Sequence, residues 1–169
     1  RARLARGYEN AGNTTQAARY FQSARARNSV LKDYATWHLS QLARGVGNLT
    51  QERVLLLELS ASGADSLLAD PVAQRIARSY FESKNYDFAL ASLSKSIGSG
   101  GSAASREAKL LVARSHLYKG DNAAARAVFA DLIGTVSNPA QPDDFALEAT
   151  KGLDLIEVGS EKFGKEVSA

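Results

Sequence analysis

The chain has 169 residues, with 21 Lys and Arg against 18 Asp and Glu, a formal charge of +3, 44% hydrophobic and 23% charged residues. That is a globular composition, and it excludes disordered and collagen-like classes. Cysteine is absent, which removes disulfides, thiolate nucleophiles and cysteine zinc sites together, and no apolar run nears the ~18 residues of a membrane helix, so no span is expected.

Ala and Leu number 29 and 20 against 13 Val plus Ile, which favours an all-α chain because these two side chains lose least on entering a helix. Stop and start signals imply about nine helices. The first predicted pair, 1–29, turns at Asn10-Ala11-Gly12-Asn13, where Asn13 and Gln16 have capping-box spacing. The second, 30–69, turns at Gly45-Val46-Gly47-Asn48, with Asn48 and Gln51 in the same relation. The third, 70–101, opens with Asp70 as N-cap and Pro71 at the first helical position. It buries Ile76, Ala77, Tyr80 and Phe81 and ends in Gly98-Ser99-Gly100-Gly101-Ser102, a flexible inter-helix loop. The fourth, 102–137, spaces Leu110, Leu111, Ala113 and Leu117 by three- and four-residue steps and turns at Gly120-Asp121. A terminal helix, 142–158, starts at Pro142, with Asp143 and Asp144 facing the positive end of its dipole. Residues 1–159 are expected to form a single domain, and 160–169, which lack apolar periodicity, to fray or lead into a further segment.

These pairs are copies of one pattern. Leu4, Ala5, Tyr8, Gly12, Ala17, Phe21 and Ala24 recur with identical spacing as Val112, Ala113, His116, Gly120, Ala125, Phe129 and Leu132. The turn positions 12, 47, 84 and 120 are 35, 37 and 36 residues apart. Small residues where two helices cross, with aromatic and turn residues between them, resemble tetratricopeptide repeats (TPR) over about 1–137. The resemblance implies a right-handed α-solenoid of TPR-like helix pairs, each covering its neighbour's apolar face. Glu52, in place of the usual small residue, and the missing closing prolines of the first and fourth pairs mark the array as degenerate; Glu52 also suggests a wider crossing of the second pair.

The segment Lys32-Asp33-Tyr34-Ala35-Thr36-Trp37-His38-Leu39-Ser40-Gln41-Leu42 resembles a stretch of the N-terminal superhelix of soluble lytic murein transglycosylases. So does Asp70-Pro71 leading to Arg75-Ile76-Ala77-Arg78-Ser79-Tyr80 and Tyr86-Asp87-Phe88-Ala89-Leu90. The resemblance implies a non-catalytic part of a periplasmic enzyme that cleaves peptidoglycan, reaching that polymer through an attached catalytic domain. Glu82-Ser83 matches the dipeptide carrying that family's catalytic acid. It stands at a helix-pair turn, no Gly-Leu-Met-Gln-like segment follows, and a solvated turn glutamate is the preferred reading, so no catalytic residue is assigned.

Other chemistry finds little support. His38 and His116 are the only histidines and have no ligand spacing, so neither metal nor cofactor is expected. The Gly98–Ser102 run lacks the strand of a nucleophile elbow and the Lys of a phosphate loop. Residues 1–32 carry seven basic and one acidic side chain and residues 140–169 three and seven, a modest asymmetry that a solvated arginine face explains better than nucleic acid.

The remaining candidate is the concave surface lined by the first helix of each pair. One step beyond the packing Ala on those helices stand Arg6, Gln41, Arg78 and Arg114, with Arg44, Trp37, Phe81 and Tyr118 nearby. Such a groove would hold carboxylates of a peptide or muropeptide through bidentate hydrogen bonds, or its arginines would pair with neighbouring Asp and Glu across the stack. Two functions stay open: the superhelical part of a lytic transglycosylase, or a stand-alone adaptor binding a partner peptide. The start at Arg1 and the absence of Met read as an excised piece whose signal peptide, if any, is gone. A periplasmic or cell-envelope location is expected, with the cytoplasm open.

Overall fold

A computed structural model describes residues 1–27, 31–62, 69–94 and 102–167. Among them are nine helices and no strand: α1 (Ala2–Asn10), α2 (Thr14–Arg25), α3 (Lys32–Gly45), α4 (Leu49–Ala61), α5 (Ala69–Glu82), α6 (Tyr86–Leu93), α7 (Ala103–Lys119), α8 (Asn122–Gly134) and α9 (Asp144–Val167). They pack as two compact units, Arg1–Ser79 and Tyr80–Ala169, and the division falls inside α5.

One turn joins the helices of every pair. Gly12, Gly47, Lys84 and Gly120 all have positive φ, at 74°, 75°, 60° and 89°. The next residue then donates its backbone N–H back to the residue five positions earlier: Asn13 to Tyr8, Asn48 to Ala43, Asn85 to Tyr80 and Asp121 to His116, at 2.8–2.9 Å. This closes the last turn of the first helix by the left-handed C-terminal device that glycine supplies most cheaply. The same residue then caps the second helix. The side chains of Asn13, Asn48 and Asp121 accept the N–H of Gln16, Gln51 and Ala124 at 3.1, 3.0 and 3.2 Å; Asn85 makes no such bond.

Burial follows the repeat register. Ala5, Ser40, Ala77 and Ala113 occupy one position and are all fully buried, as are Ala17, Glu52, Ala89 and Ala125 at the crossing and Phe21, Leu56, Leu93 and Phe129 one turn on. In the first unit Phe21, Leu39 and Leu55 centre the core. In the second, α9 lies against α7 and α8, placing Ala149 and Ile156 on Phe129 and Leu132. Gly152 makes that approach possible, since a Cβ there would stand 2.3 Å from the Phe129 ring.

Three boundaries differ from the sequence reading. α5 starts at Ala69, so Asp70 is inside the helix rather than its cap. Pro71 stays in the first turn, where backbone N–H groups lack intrahelical acceptors and its missing donor costs nothing. α9 starts at Asp144, with the Asp143 side chain accepting the Ala146 N–H at 2.9 Å. It continues past 158 to Val167, over a stretch whose Glu161, Lys162, Lys165 and Glu166 are strong helix formers. The expected loop at 98–102 lies outside the described residues except Ser102, whose hydroxyl caps α7 at the Ser105 N–H.

Candidate binding surfaces

The candidate residues divide between the units. Arg6, Trp37, Gln41, Arg44 and Arg78 belong to the first, and Phe81, Arg114 and Tyr118 to the second.

In the first unit a buried carboxylate organises the surroundings. Glu52 stands where the other pairs have Ala, so its longer side chain must reach a cation or remain an uncompensated buried charge. Arg44 Nη1 lies 3.0 Å from Glu52 Oε2, and Arg75 approaches Oε1 through Nε at 3.2 Å and Nη2 at 2.5 Å. Arg75 from α5 also spreads its guanidinium 4.7 Å above the centre of the Trp37 ring. Trp37, Arg44 and Glu52 are thus joined to α5 through Arg75, a residue the sequence reading had assigned no role. Arg6 pairs with Glu9 in its own helix, and the Glu9 carboxylate also lies 3.2 Å from Nδ1 of His38, a buried ring stacked 4.9 Å from Phe21. Gln41 and Arg78 are exposed. Arg25 of α2 and Lys32 of α3 hold Glu58 of α4, and the hydrogen bond from Arg25 keeps that carboxyl below its usual range.

In the second unit, three rings meet at the ends of three helices. Phe81, Tyr86 and Tyr118 have centroids 5.6, 5.7 and 5.9 Å apart, and Tyr86 stacks on Tyr118 at 19°. Tyr118 is 60% exposed, so the cluster presents a ring face to solvent. Phe88 is also exposed and stacks on Tyr80 at 5.2 Å. Ion pairs between neighbouring elements flank the rings. Lys119 of α7 pairs with Asp87 of α6, which raises the Lys119 pKa. Arg114, one turn before Tyr118 on α7, pairs with Glu148 of α9. Lys151 hydrogen-bonds the same carboxylate at 2.6 Å and, with Arg114, holds its pKa below the ordinary value. Arg6, Arg44 and Arg114 therefore meet carboxylates, Arg6 within its own helix and the other two across helices, while the aromatic positions of the second unit remain available.

Arg106, which the sequence reading passed over, is a buried clamp. It donates to Asp143 Oδ2 at 2.6 Å and Oδ1 at 2.9 Å, to Thr135 Oγ1 at 2.8 Å and to the Leu132 carbonyl at 2.9 Å. These bonds tie α7 to the end of α8 and the start of α9, and they lower the Asp143 pKa. Glu82 is an exposed residue at the end of α5. His116 is partly buried, its Nδ1 3.3 Å from Asp121 but without hydrogen-bond alignment. Among the described residues no cluster of three or more metal-ligating side chains occurs, and no helix is long and apolar enough to cross a membrane.

No protein-family model and no curated protein matches the sequence. Solved structures do match. A protein of Podosopora anserina described as a putative kinesin light chain with nearly identical TPR-like repeats superposes with a TM-score of 0.70 at 13% identity, over 97% of this chain and 87% of that one. A single-substitution variant of the same protein gives 0.69 at 14% identity, over 97% and 94%. At such identities the likeness concerns the fold alone. The chain is all-α, and its fold is that of TPR-like helical repeats of the α-solenoid class.

Proposed function

We propose that this chain is a non-catalytic protein-interaction scaffold whose second unit offers the Phe81, Tyr86 and Tyr118 rings to a peptide segment of a partner. The observation that carries this is the exposure of Tyr118, at 60%, on a cluster in which three rings pack on one another. A rigid aromatic platform gives large contact area at little entropic cost, and Tyr is enriched among the residues that dominate protein interfaces. Arg114 and Lys119, neutralised by Glu148 and Asp87, frame the platform. Its ligand is therefore an apolar or aromatic segment rather than a strongly charged one.

The test is selection from a random peptide display library on the immobilised chain, followed by affinity measurement with Tyr118→Ser. An aromatic hot spot of ~2 kcal/mol predicts about a 30-fold loss. Failure to enrich any sequence, or equal affinity for the variant, refutes the reading. A narrower placement, as the superhelical portion of a periplasmic lytic transglycosylase, is supported by segments 32–42 and 70–90 of the sequence. It predicts co-sedimentation with purified peptidoglycan that is lost in Arg78→Glu/Arg114→Glu; retention by that double variant discards the arginine groove.

A further inference from the structure

The recess between α1 and α2 recurs between α7 and α8, position by position. In the fourth pair it is lined by Lys109, Ala127, Val128 and Asp131, among others, and Lys109 Nζ lies 2.7 Å from Asp131 Oδ2. The offset of 108 between Gly12 and Gly120 carries Lys109 onto Arg1, Ala127 onto Arg19, Val128 onto Tyr20 and Asp131 onto Ser23. Those four residues line a recess of about 300 Å³ in the first pair. The second pair places Glu58 at the same repeat position, 35 residues after Ser23, and there too the carboxylate takes cations, Arg25 and Lys32.

The first pair keeps the cross-helix contact and lacks the negative charge. Arg1 Nη1 hydrogen-bonds Ser23 Oγ at 2.5 Å, in the place of the Lys109 to Asp131 ion pair. A hydroxyl satisfies one N–H without neutralising the guanidinium. Arg19 adds a second guanidinium where the second and fourth pairs have Val54 and Ala127, and it is exposed with no carboxylate partner among the described residues. Two guanidinium groups around one serine hydroxyl are a receptor for a carboxylate, able to grip both oxygens.

We infer that this recess binds an acidic side chain of a partner peptide. The incoming aspartate or glutamate takes the place that Asp131 fills in the fourth pair and Glu58 in the second. A peptide fits better than nucleic acid, because the recess gathers its donors at one point, whereas duplex or single-strand binding needs a track of phosphate contacts and the chain's net charge is only +3. The site is built from residues of the first unit and the aromatic platform from residues of the second, and the inference does not depend on the platform.

The experiment is fluorescence anisotropy of the chain with a labelled, C-terminally amidated, aspartate-rich Gly-Ser peptide at about 0.05 M salt, where screening is weak. Ser23→Asp installs the missing carboxylate from within and is expected to lower affinity about tenfold. Ser23→Asn, which keeps a neutral hydrogen-bonding group, and Ser94→Asp, which adds the same charge at the end of α6, should each stay within about twofold of the parent. Arg19→Glu should lose binding as Ser23→Asp does, and thermal melts of each variant report whether the fold is intact. Absence of peptide binding, or Ser23→Asp binding as tightly as the parent, overturns the inference. So does preference for a neutral Gly-Ser peptide with a free C-terminal carboxylate, which assigns the recess to chain ends. Tighter binding of oligothymidylate with the same Ser23→Asp loss overturns it too, by reassigning the recess to nucleic acid. Tyr118→Ser should leave this binding unchanged, so the outcome is separate from that of the aromatic platform.

Discussion

Gly152 sits where α9 passes over the ring of Phe129, and a side chain there has nowhere to go. A Cβ would stand 2.3 Å from Phe129 Cζ, 2.5 Å from Cε2 and 2.8 Å from Cε1. Carbon atoms rest at roughly 3.5–4.0 Å, so the methyl group of Gly152→Ala overlaps the ring by about 1 Å. Phe129 is fully buried and cannot swing into water without opening the core it shares with Leu132 and Ile156. Overpacking of this kind costs ~1–3 kcal/mol, while alanine in a helix interior returns ~1 kcal/mol over glycine. The net expectation is a loss of about 1 kcal/mol, which lowers the Tm of a chain of this length by about 2–4 °C. Gly7→Ala in α1 is the control, since a Cβ there meets nothing within 4 Å. It should raise the Tm by a similar amount, because only the propensity gain of about 1 kcal/mol remains. Thermal melts by circular dichroism measure both. Combining Gly152→Ala with Phe129→Leu should cost less than the sum of the two changes, because the shorter side chain yields room. A Gly152→Ala protein that melts at or above the parent, as Gly7→Ala is expected to, would refute the close approach of α9.

The remaining predictions concern a turn, a buried carboxylate and a cap. Lys84 adopts a φ of 60°, a left-handed conformation costing a side chain ~1–2 kcal/mol, so Lys84→Gly should stabilise the chain by up to about 1 kcal/mol in a urea titration. Glu52→Gln leaves Arg44 and Arg75 without their shared charge. Because Trp37 is the sole tryptophan and Arg75 lies on its ring, the change should shift the emission spectrum and lower stability by about 2 kcal/mol or more; an unchanged spectrum would count against the contact. Asp143 is held below the usual aspartate range by Arg106. Its contribution is therefore complete above its ordinary titration near about pH 4 and is lost as pH falls through the depressed folded value. Acid unfolding monitored by circular dichroism should show a shallower pH slope for Asp143→Asn than for the parent.

The repeat was legible because it is written in local chemistry. Each turn needs a left-handed residue followed by a capping Asn or Asp, and each crossing needs a small side chain, so position and residue type go together in the sequence. Lys84 obeys the same register without glycine, and only its place in the period marks it. The pairing of side chains was less accessible. Glu52 stood out as a departure, but its partner Arg75 lies 23 residues away and across a helix pair, and no local spacing identifies which arginine a buried carboxylate selects. The same holds for Arg106, whose partner Asp143 is 37 residues on. The arginine positions of the expected groove are a repeat feature that the period makes visible. For Arg6, Arg44 and Arg114 a carboxylate partner decides how much charge they offer, and for Arg44 and Arg114 that partner comes from the packing of another helix. Tyr86 lies at the start of α6, off the first-helix face that carries Phe81 and Tyr118, so the repeat register does not mark it as their ring partner.

The joint shared by the four hairpins carries a practical corollary. Its closing bond stays within a single pair, donated by the backbone N–H of the cap to the carbonyl of Tyr8, Ala43, Tyr80 or His116 five positions earlier. A hairpin can therefore be copied, deleted or transplanted along the chain with its own hinge attached. Lengthening such an array then asks only that the flanks match, and graded libraries of shortened and extended versions become a realistic way to engineer new reach into the protein.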